Sequence, residues 1–252
     1  MSDSSRSLRL DVALVHRGLV STRSKAQQLI RQGDITLNGE VAAKPSMGII
    51  DTDRLMVLHN DGYVSRGAYK LVGAFETFAP LGLTSPGGLD CLDIGASTGG
   101  FTQVLLRRGA NRIIALDVGH GQLHASIADN PHVIEMSGVN IREIDSSMLA
   151  YRPQLIVSDV SFISLTYVIP VIAAVAASQA QVVLLVKPQF EVGKGRLGKN
   201  GIVENQELRE QALQHVVDCA GEYGMRVHGT ALSPIEGTFG NVEYLLFASC
   251  PA

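Results

Sequence analysis

The stretch Leu92-Asp93-Ile94-Gly95-Ala96-Ser97-Thr98-Gly99-Gly100-Phe101 restricts the fold of this chain more than any other. An apolar run at residues 89–94 leads into it, and a helical pattern at residues 101–108 leads out of it. Strand, glycine turn and helix, in that order, are how open α/β sheets build a ligand site at the carboxyl end of a strand. Glycines at 95, 99 and 100 let the backbone turn sharply and let a ligand approach closely. The spacing G-x-x-x-G-G is not the G-x-G-x-x-G of dinucleotide sites, and an acid, Asp93, precedes the first glycine. Further strand patterns fall at residues 112–116, 155–157, 182–186, 225–232 and 244–248. Helical patterns fall near residues 68–78, 165–177 and 207–223. Such alternation predicts a mainly parallel sheet covered on both faces.

The first sixty residues read differently. Leu10, Leu14 and Val15 are spaced as one helix face, and Gly18 stops that helix. Ser21 or Thr22 can cap a second helix carrying Ala26, Leu29 and Ile30, which Gly33 ends. Asn38-Gly39 between two short apolar runs is a hairpin signal, because a type I′ turn needs positive φ at both central residues. Residues 54–58 form one more short strand pattern. Between Arg6 and Arg31 stand six basic residues (Arg6, Arg9, Arg17, Arg23, Lys25, Arg31) against one acid, Asp11, although the whole chain carries a formal charge of −3. A local excess of this kind suits a polyanionic partner; its plainer reading is a solvated helix face.

The string RLDVALVHRGLVSTRSKAQQLIRQGDITLNGEVA resembles the RNA-binding domain of ribosomal small-subunit protein four, the S-four domain. The resemblance implies a small α+β RNA-binding domain at residues 1–60, ahead of a second domain at residues 61–252. By that resemblance Arg23, Lys25 and Arg31 contact RNA phosphates; Arg6, Arg9 and Arg66 are counted beside them as further basic contacts. Such contacts fix position on the RNA without reading its sequence.

Composition narrows the classes. An apolar fraction of 46% with 18% charged residues is that of a globular protein with a real core. Cys91, Cys219 and Cys250 are far apart and have no metal-ligand spacing with histidine, so no metal is expected. Met1–Ser7 lacks the apolar run of a secretion signal. The most apolar stretch, residues 165–177, is too short to span a bilayer and contains Pro170. The expectation is a cytoplasmic protein without stable membrane association; oligomeric state is left open.

The glycine loop points to a cofactor. S-adenosyl-L-methionine carries a sulfonium and an ammonium but no phosphate, so a carboxylate at the mouth of the loop suits it and would repel a pyrophosphate. Asp117 ends the second strand, where a carboxylate can accept both ribose hydroxyls of an adenosyl group; a strand-ending or capping Asp is the ordinary alternative. The loop and the second acid resemble those of class I methyltransferases, with a Rossmann-like fold. The resemblance carries Gly95, Gly99 and Asp117 over as cofactor contacts; Asp93, Ser97, Gly100 and Phe101 are counted with them, and residues 139–141 flank the adenine.

Chemistry is carried by four further phrases. SRGAYKL contains Lys70, VSDVSFISL contains Asp159, LLVKPQFEVGK contains Lys187 and FGNVEYLLF contains Glu243. Singly, each has an ordinary reading: a solvated helix lysine, a cap, an edge residue, a surface ion-pair partner. In this order they resemble the Lys-Asp-Lys-Glu tetrad of FtsJ-type RNA 2′-O-methyltransferases. A ribose 2′-hydroxyl is a poor nucleophile, so its attack needs in-line placement and removal of its proton. The resemblance makes Lys187 the general base, positioned by Asp159 and Lys70, with Glu243 orienting Lys70.

An S-four domain fused to an FtsJ-type domain is similar to the TlyA (hemolysin A) family. Members of that family methylate cytidine riboses in bacterial ribosomal RNA, which implies ribosomal RNA or ribosomal subunits as partners. The glycine-rich segment 191–201, with Lys194, Arg196 and Lys199, is expected to close over RNA; a surface loop without that role is the alternative. Three rivals are weighed beside this reading: a membrane-lytic toxin, a non-catalytic RNA-binding or ribosome-assembly protein, and a pseudouridine synthase. The first lacks a secretion signal and a membrane-spanning run, the second leaves the tetrad unexplained, and the third has no use for the glycine loop.

Overall fold

The computed structural model describes residues 7–20, 22–57, 62–198, 201–237 and 240–252. Contacts divide the chain into two compact units, Met1–Arg66 and Gly67–Ala252.

In the first unit, strand β1 (Leu8–Arg9) runs directly into helix α1 (Leu10–His16), and helix α2 (Arg23–Gln32) follows. Leu10, Ala13 and Leu14 of α1 meet Ala26 and Ile30 of α2 in a small apolar core closed by Ile35 and Ile49. Thr22 is the cap: its hydroxyl accepts the backbone N–H of Lys25 at 3.2 Å. Ser21, the other candidate, lies outside the described residues. Gly33 takes the left-handed conformation that ends α2. Strands β2 (Ile35–Leu37) and β3 (Glu40–Val41) form the expected hairpin, with φ of 55° at Asn38 and 92° at Gly39. Strand β4 (Gly48–Ile49) pairs with β1, and β5 (Leu55–Val57) pairs antiparallel with β2. The β1–β4 pair was not foreseen, because two-residue strands leave no periodicity to read.

The second unit is a seven-stranded sheet. Its strands are β6 (Asp90–Ile94), β7 (Arg112–Asp117), β8 (Val133–Ser137), β9 (Leu155–Ser158), β10 (Gln181–Val186), β11 (Arg226–Leu232) and β12 (Tyr244–Ser249). Their spatial order is β11-β12-β10-β9-β6-β7-β8, and only β12 runs against its neighbours. The mainly parallel, Rossmann-like sheet is as expected. Helices α3 (Ala68–Phe78), α4 (Gly100–Arg107), α5 (Ala125–Ala128), α6 (Ile169–Val175), α7 (Pro188–Glu191) and α8 (Gln206–Glu222) complete the unit. Leu92, Ile94, Ile156, Leu184, Val186 and Leu246 from four strands share one core with Ile169, Ile172 and Val216 of the helices.

Two elements differ from expectation. Residues 165–177 form a 3₁₀ turn, Leu165–Tyr167, and then α6, rather than one helix. Pro170 has no N–H to give, so it sits in the first turn of α6, where none is required. Strand β8 was missed: it is an outer strand whose faces are unevenly buried, so its alternation is weak.

The topology places the site. The chain leaves β6 toward β7 and β8 on one side, then returns to β9 on the other, making β6/β9 the switch point where such sheets bind ligands. Ile94 is in register with Ser158, Leu184 with Ser158, and Val186 with Tyr244. The residues just past β6, β9 and β10, and just before the reversed β12, therefore emerge along one edge.

Candidate active site

Lys70, Asp159, Lys187 and Glu243 come together on that edge. Lys70 lies in the first turn of α3, which packs on β12 with the Phe78 and Phe247 ring centroids 5.7 Å apart. Its Nζ donates to Glu243 Oε2 at 2.6 Å and stands 3.8 Å from Asp159 Oδ2. Lys187 follows β10 directly; its Nζ is 2.6 Å from Asp159 Oδ1 and donates to Ser161 Oγ at 2.9 Å. Cations and anions thus alternate as Lys187, Asp159, Lys70, Glu243. Their side chains are 10%, 19%, 8% and 2% exposed in that order. The ordinary readings of solvated lysines and a surface glutamate do not hold. Burial works to raise the Asp159 carboxyl, but Lys70 and Lys187 outweigh it and hold the group below its ordinary value. Gly237 makes room for Glu243: a Cβ there would lie 2.1 Å from Glu243 Oε1. Gln189 Nε2 reaches the same oxygen at 3.5 Å.

The glycine loop adjoins this network. Gly95 has φ of 85°, and a Cβ on it would meet the carbonyl oxygen of Asp159 at 2.7 Å. Ser97 and Gly99 also have positive φ, 48° and 93°. This backbone turns the N–H of Ser97 onto Asp117 Oδ2 at 2.7 Å, while the N–H of Gly119 donates to Oδ1 at 2.7 Å. Each carboxylate oxygen has a second lone pair left for a ligand hydroxyl. Val118, next to it, is 69% exposed.

Asp93 differs from expectation. Its carboxyl is fully buried, beneath the loop rather than at its mouth. Thr102 donates its hydroxyl to Oδ2 at 2.6 Å, and Oδ1 has no partner. Burial pushes the group up to about 7, against the opposing Thr102 bond. Phe101 is also corrected: at 4% exposed it belongs to the core of α4, because its side chain is on the helix's inward face. The remaining set suits a phosphate-free cationic nucleoside: a buried carboxyl oxygen wanting a donor, a preset acid at the end of β7, and a loop kept clear of side chains.

Comparison with known proteins bears on the same residues. A family model described as FtsJ-like methyltransferase matches residues 63–250, and an S4 domain model matches residues 8–49. The 16S/23S rRNA (cytidine-2′-O)-methyltransferase TlyA of Mycobacterium tuberculosis is 44% identical over 244 residues, 96% of this chain and 90% of that protein. The chain belongs to the TlyA family of FtsJ-like methyltransferases. A TlyA-family likeness also extends to a solved structure, described as a presumed hemolysin from Streptococcus thermophilus, with TM-score 0.77 and 37% identity over 98% of this chain and 90% of that one. The fold alone is shared with the N-methyltransferase NodS of Bradyrhizobium japonicum, solved with S-adenosyl-L-homocysteine: TM-score 0.52, 14% identity, 76% of this chain and 90% of that one.

In this TlyA-family chain the S4 arginines are less free than their number suggests. Arg9 donates Nε and one terminal nitrogen to Asp11 at 3.0 and 3.1 Å, and Arg23 Nε donates to Asp11 at 2.9 Å. Asp11 is fully buried, and this pairing, with Arg9 foremost, holds its carboxyl well below the usual range. Arg17 binds the backbone carbonyls of Asp53, Ile50 and Asp51. Lys25 Nζ donates to the Val64 carbonyl at 3.4 Å. Arg31 and Arg196 are exposed, and Arg66 is half-buried with a bonding partner. Arg6, Lys199 and the Lys194 side chain lie outside the described residues.

Three residues escaped the sequence reading: Ser161, Gln189 and Phe162. Phe162 is 92% exposed with φ of 65°, and its ring centroid is 5.1 Å from that of Phe190. The signal was present, since all three lie inside the two phrases that carry Asp159 and Lys187. Among the described residues no His/Cys/Asp/Glu group could hold a metal ion, and no helix is long and apolar enough to cross a membrane.

Proposed function

We propose that the protein transfers the methyl group of S-adenosyl-L-methionine to the 2′-hydroxyl of a cytidine ribose in bacterial ribosomal RNA. The observation that carries this reading is the buried alternation of Lys187, Asp159, Lys70 and Glu243 beside a loop shaped for an adenosyl ligand. The M. tuberculosis relative, named for that reaction on 16S and 23S rRNA, supplies the substrate class. On this reading the partner is the ribosomal subunit and the reaction takes place in the cytoplasm.

When bound, the cofactor supplies an electrophilic methyl on a cationic sulfur. Gly95, Ser97, Gly99 and Gly100 would give it backbone to lie against, Asp117 would accept from its ribose, and Asp93, buried beneath the loop, would offset its positive charge from below. Lys187 receives the proton of the ribose hydroxyl. Asp159 holds Lys187 in place and balances the charge it gains. Lys70 keeps Asp159 ionised, and Glu243 keeps Lys70 from competing for the substrate. The exposed Phe162 ring offers a face for the target base. Arg23, Lys25, Arg31 and Arg196 add phosphate contacts that position the RNA.

The test is tritiated methyl transfer to purified ribosomal subunits, with Lys187→Ala in parallel. Label in rRNA that is lost with the variant supports the assignment. Absence of label on either subunit and on free rRNA, with cofactor bound, refutes it.

A further inference from the structure

The tetrad leaves one contact of its base, Lys187, without a purpose. Lys187 Nζ has three directions besides its bond to carbon. Asp159 Oδ1 pairs with it electrostatically at 2.6 Å, and Ser161 Oγ takes a hydrogen bond from it at 2.9 Å. We propose that Ser161 is a positioning residue that sets where the lone pair of neutral Lys187 points. This inference rests on Lys187 being the base of the proposed reaction.

A neutral amine has two N–H bonds and one lone pair. The ionised Asp159 carboxylate can only accept, so the ion pair at 2.6 Å draws one N–H to its side. A serine hydroxyl can accept or donate, and the choice decides the outcome. If it donated, it would consume the lone pair and Lys187 would be no base. Ser161 is exposed while Lys187 is 8% exposed, so the serine proton finds water and its oxygen is left to accept from the lysine. Both N–H bonds are then committed, and the lone pair occupies the one remaining direction. In the reaction the substrate O–H bond breaks, its proton bonds to that lone pair, and the resulting ammonium has an acceptor for every hydrogen.

The loop holds Ser161 in register with Lys187 at a second point. Glu191, at the far end of the short helix that begins after Lys187, accepts the N–H of Leu165 at 3.0 Å and the hydroxyl of Ser164 at 2.5 Å. Segments 159–165 and 187–191 are thus tied at both ends. The left-handed turn at Phe162 separates the serine, which faces the lysine, from the exposed phenyl ring.

Steady-state methyl transfer by the full chain, with Ser161→Ala, Ser161→Thr, Lys187→Ala and the Ser161→Ala/Lys187→Ala double variant, tests this. Ser161→Ala is expected to lower kcat by roughly tenfold to a hundredfold, the scale of a misplaced reacting group, with both KM values unchanged. Ser161→Thr, which keeps the hydroxyl at an exposed position, should regain most of the rate. The double variant should be no slower than Lys187→Ala alone, since Ser161 acts through that lysine. An alanine variant within twofold of the parent, a threonine variant as slow as alanine, or losses that multiply in the double variant would each overturn the inference while leaving the methyltransferase reading intact. A parent chain that transfers no methyl to rRNA overturns both.

Discussion

Lys70 Nζ and Glu243 Oε2 stand 2.6 Å apart across 173 residues of chain, with the two side chains 8% and 2% exposed. Removing one partner of a buried pair leaves an uncompensated charge in a poorly solvated place, an effect of about 3–5 kcal/mol. Lys70 keeps Asp159 at 3.8 Å, so Glu243→Gln should destabilise the chain by an amount at the lower end, about 3 kcal/mol. Adding Lys70→Met should return at least half of the loss, because no buried cation then lacks a partner. Urea unfolding of the parent, both single variants and the double variant would measure this. A double variant as unstable as the sum of its parts would show that the pair is not coupled.

Lys187 is expected to matter to turnover and not to binding. Replacing it by Met keeps the length of the side chain and removes the group that receives the proton. General-base removal lowers rates by roughly 10²–10⁴-fold. The prediction for Lys187→Met is a loss of about that size in kcat, with cofactor affinity by calorimetry unchanged. A matching loss of affinity would mean that the lysine holds ligand rather than protons.

Much of this site could be read from sequence because its chemistry sits at strand ends, where a short phrase marks both the element and the residue. The β6 loop, Asp159, Lys187 and Glu243 each follow or precede a Val/Leu/Ile run, and Asn38-Gly39 announces its own turn. What could not be read depends on three-dimensional surroundings. Asp93 is one residue before a surface loop, yet it is sealed because Thr102, one turn into α4, lies over it. Arg9 and Arg23 count as two charges in sequence, but a single buried Asp11 binds both. The reversed strand β12 carries the same apolar pattern as its parallel neighbours, so its direction appears only in the pairing of Val186 with Tyr244. Ser161 is one of many serines until Lys187 is placed 2.9 Å away.

Asp93 predicts a pH-dependent stability of unusual sign. Its carboxyl is raised from 3.8 to about 7, chiefly by burial, so the folded chain holds that proton more tightly than the unfolded chain. Its contribution to stability is therefore largest below about pH 4 and declines as pH rises toward 7. Asn at this position has no proton to lose. The stability of Asp93→Asn relative to the parent should increase between pH 5 and pH 7, by about 2 kcal/mol at 1.36 kcal/mol per unit. Thermal unfolding across that range checks it, and a constant difference would show that the carboxyl titrates normally. The same variant should bind S-adenosyl-L-methionine more weakly at pH 8, since it lacks the buried negative charge that offsets the cofactor's cationic portion from beneath the loop. A gain in stability paired with a loss of binding is the mark of a residue kept for its site.

Phe162 should show the same opposition more directly. A bulky side chain at φ of 65° is strained, by about 1–3 kcal/mol, and its ring is 92% exposed, so no burial compensates the strain beyond its edge contact with Phe190. Glycine adopts this backbone freely. Phe162→Gly is therefore expected to leave stability unchanged or raise it by about 1 kcal/mol, where most aromatic deletions destabilise. If the ring serves the target base, the variant should raise KM for rRNA or lower kcat/KM by roughly tenfold, the equivalent of about 1.4 kcal/mol of stacking. Cofactor affinity should not move. Phe162→Tyr, which keeps an aromatic face, should behave as the parent does. A glycine variant with undiminished activity would mean that the strained conformation is set by the chain on either side of it, by Ser161 bound to Lys187 and by Ser164 bound to Glu191, and that the ring merely occupies the space outside.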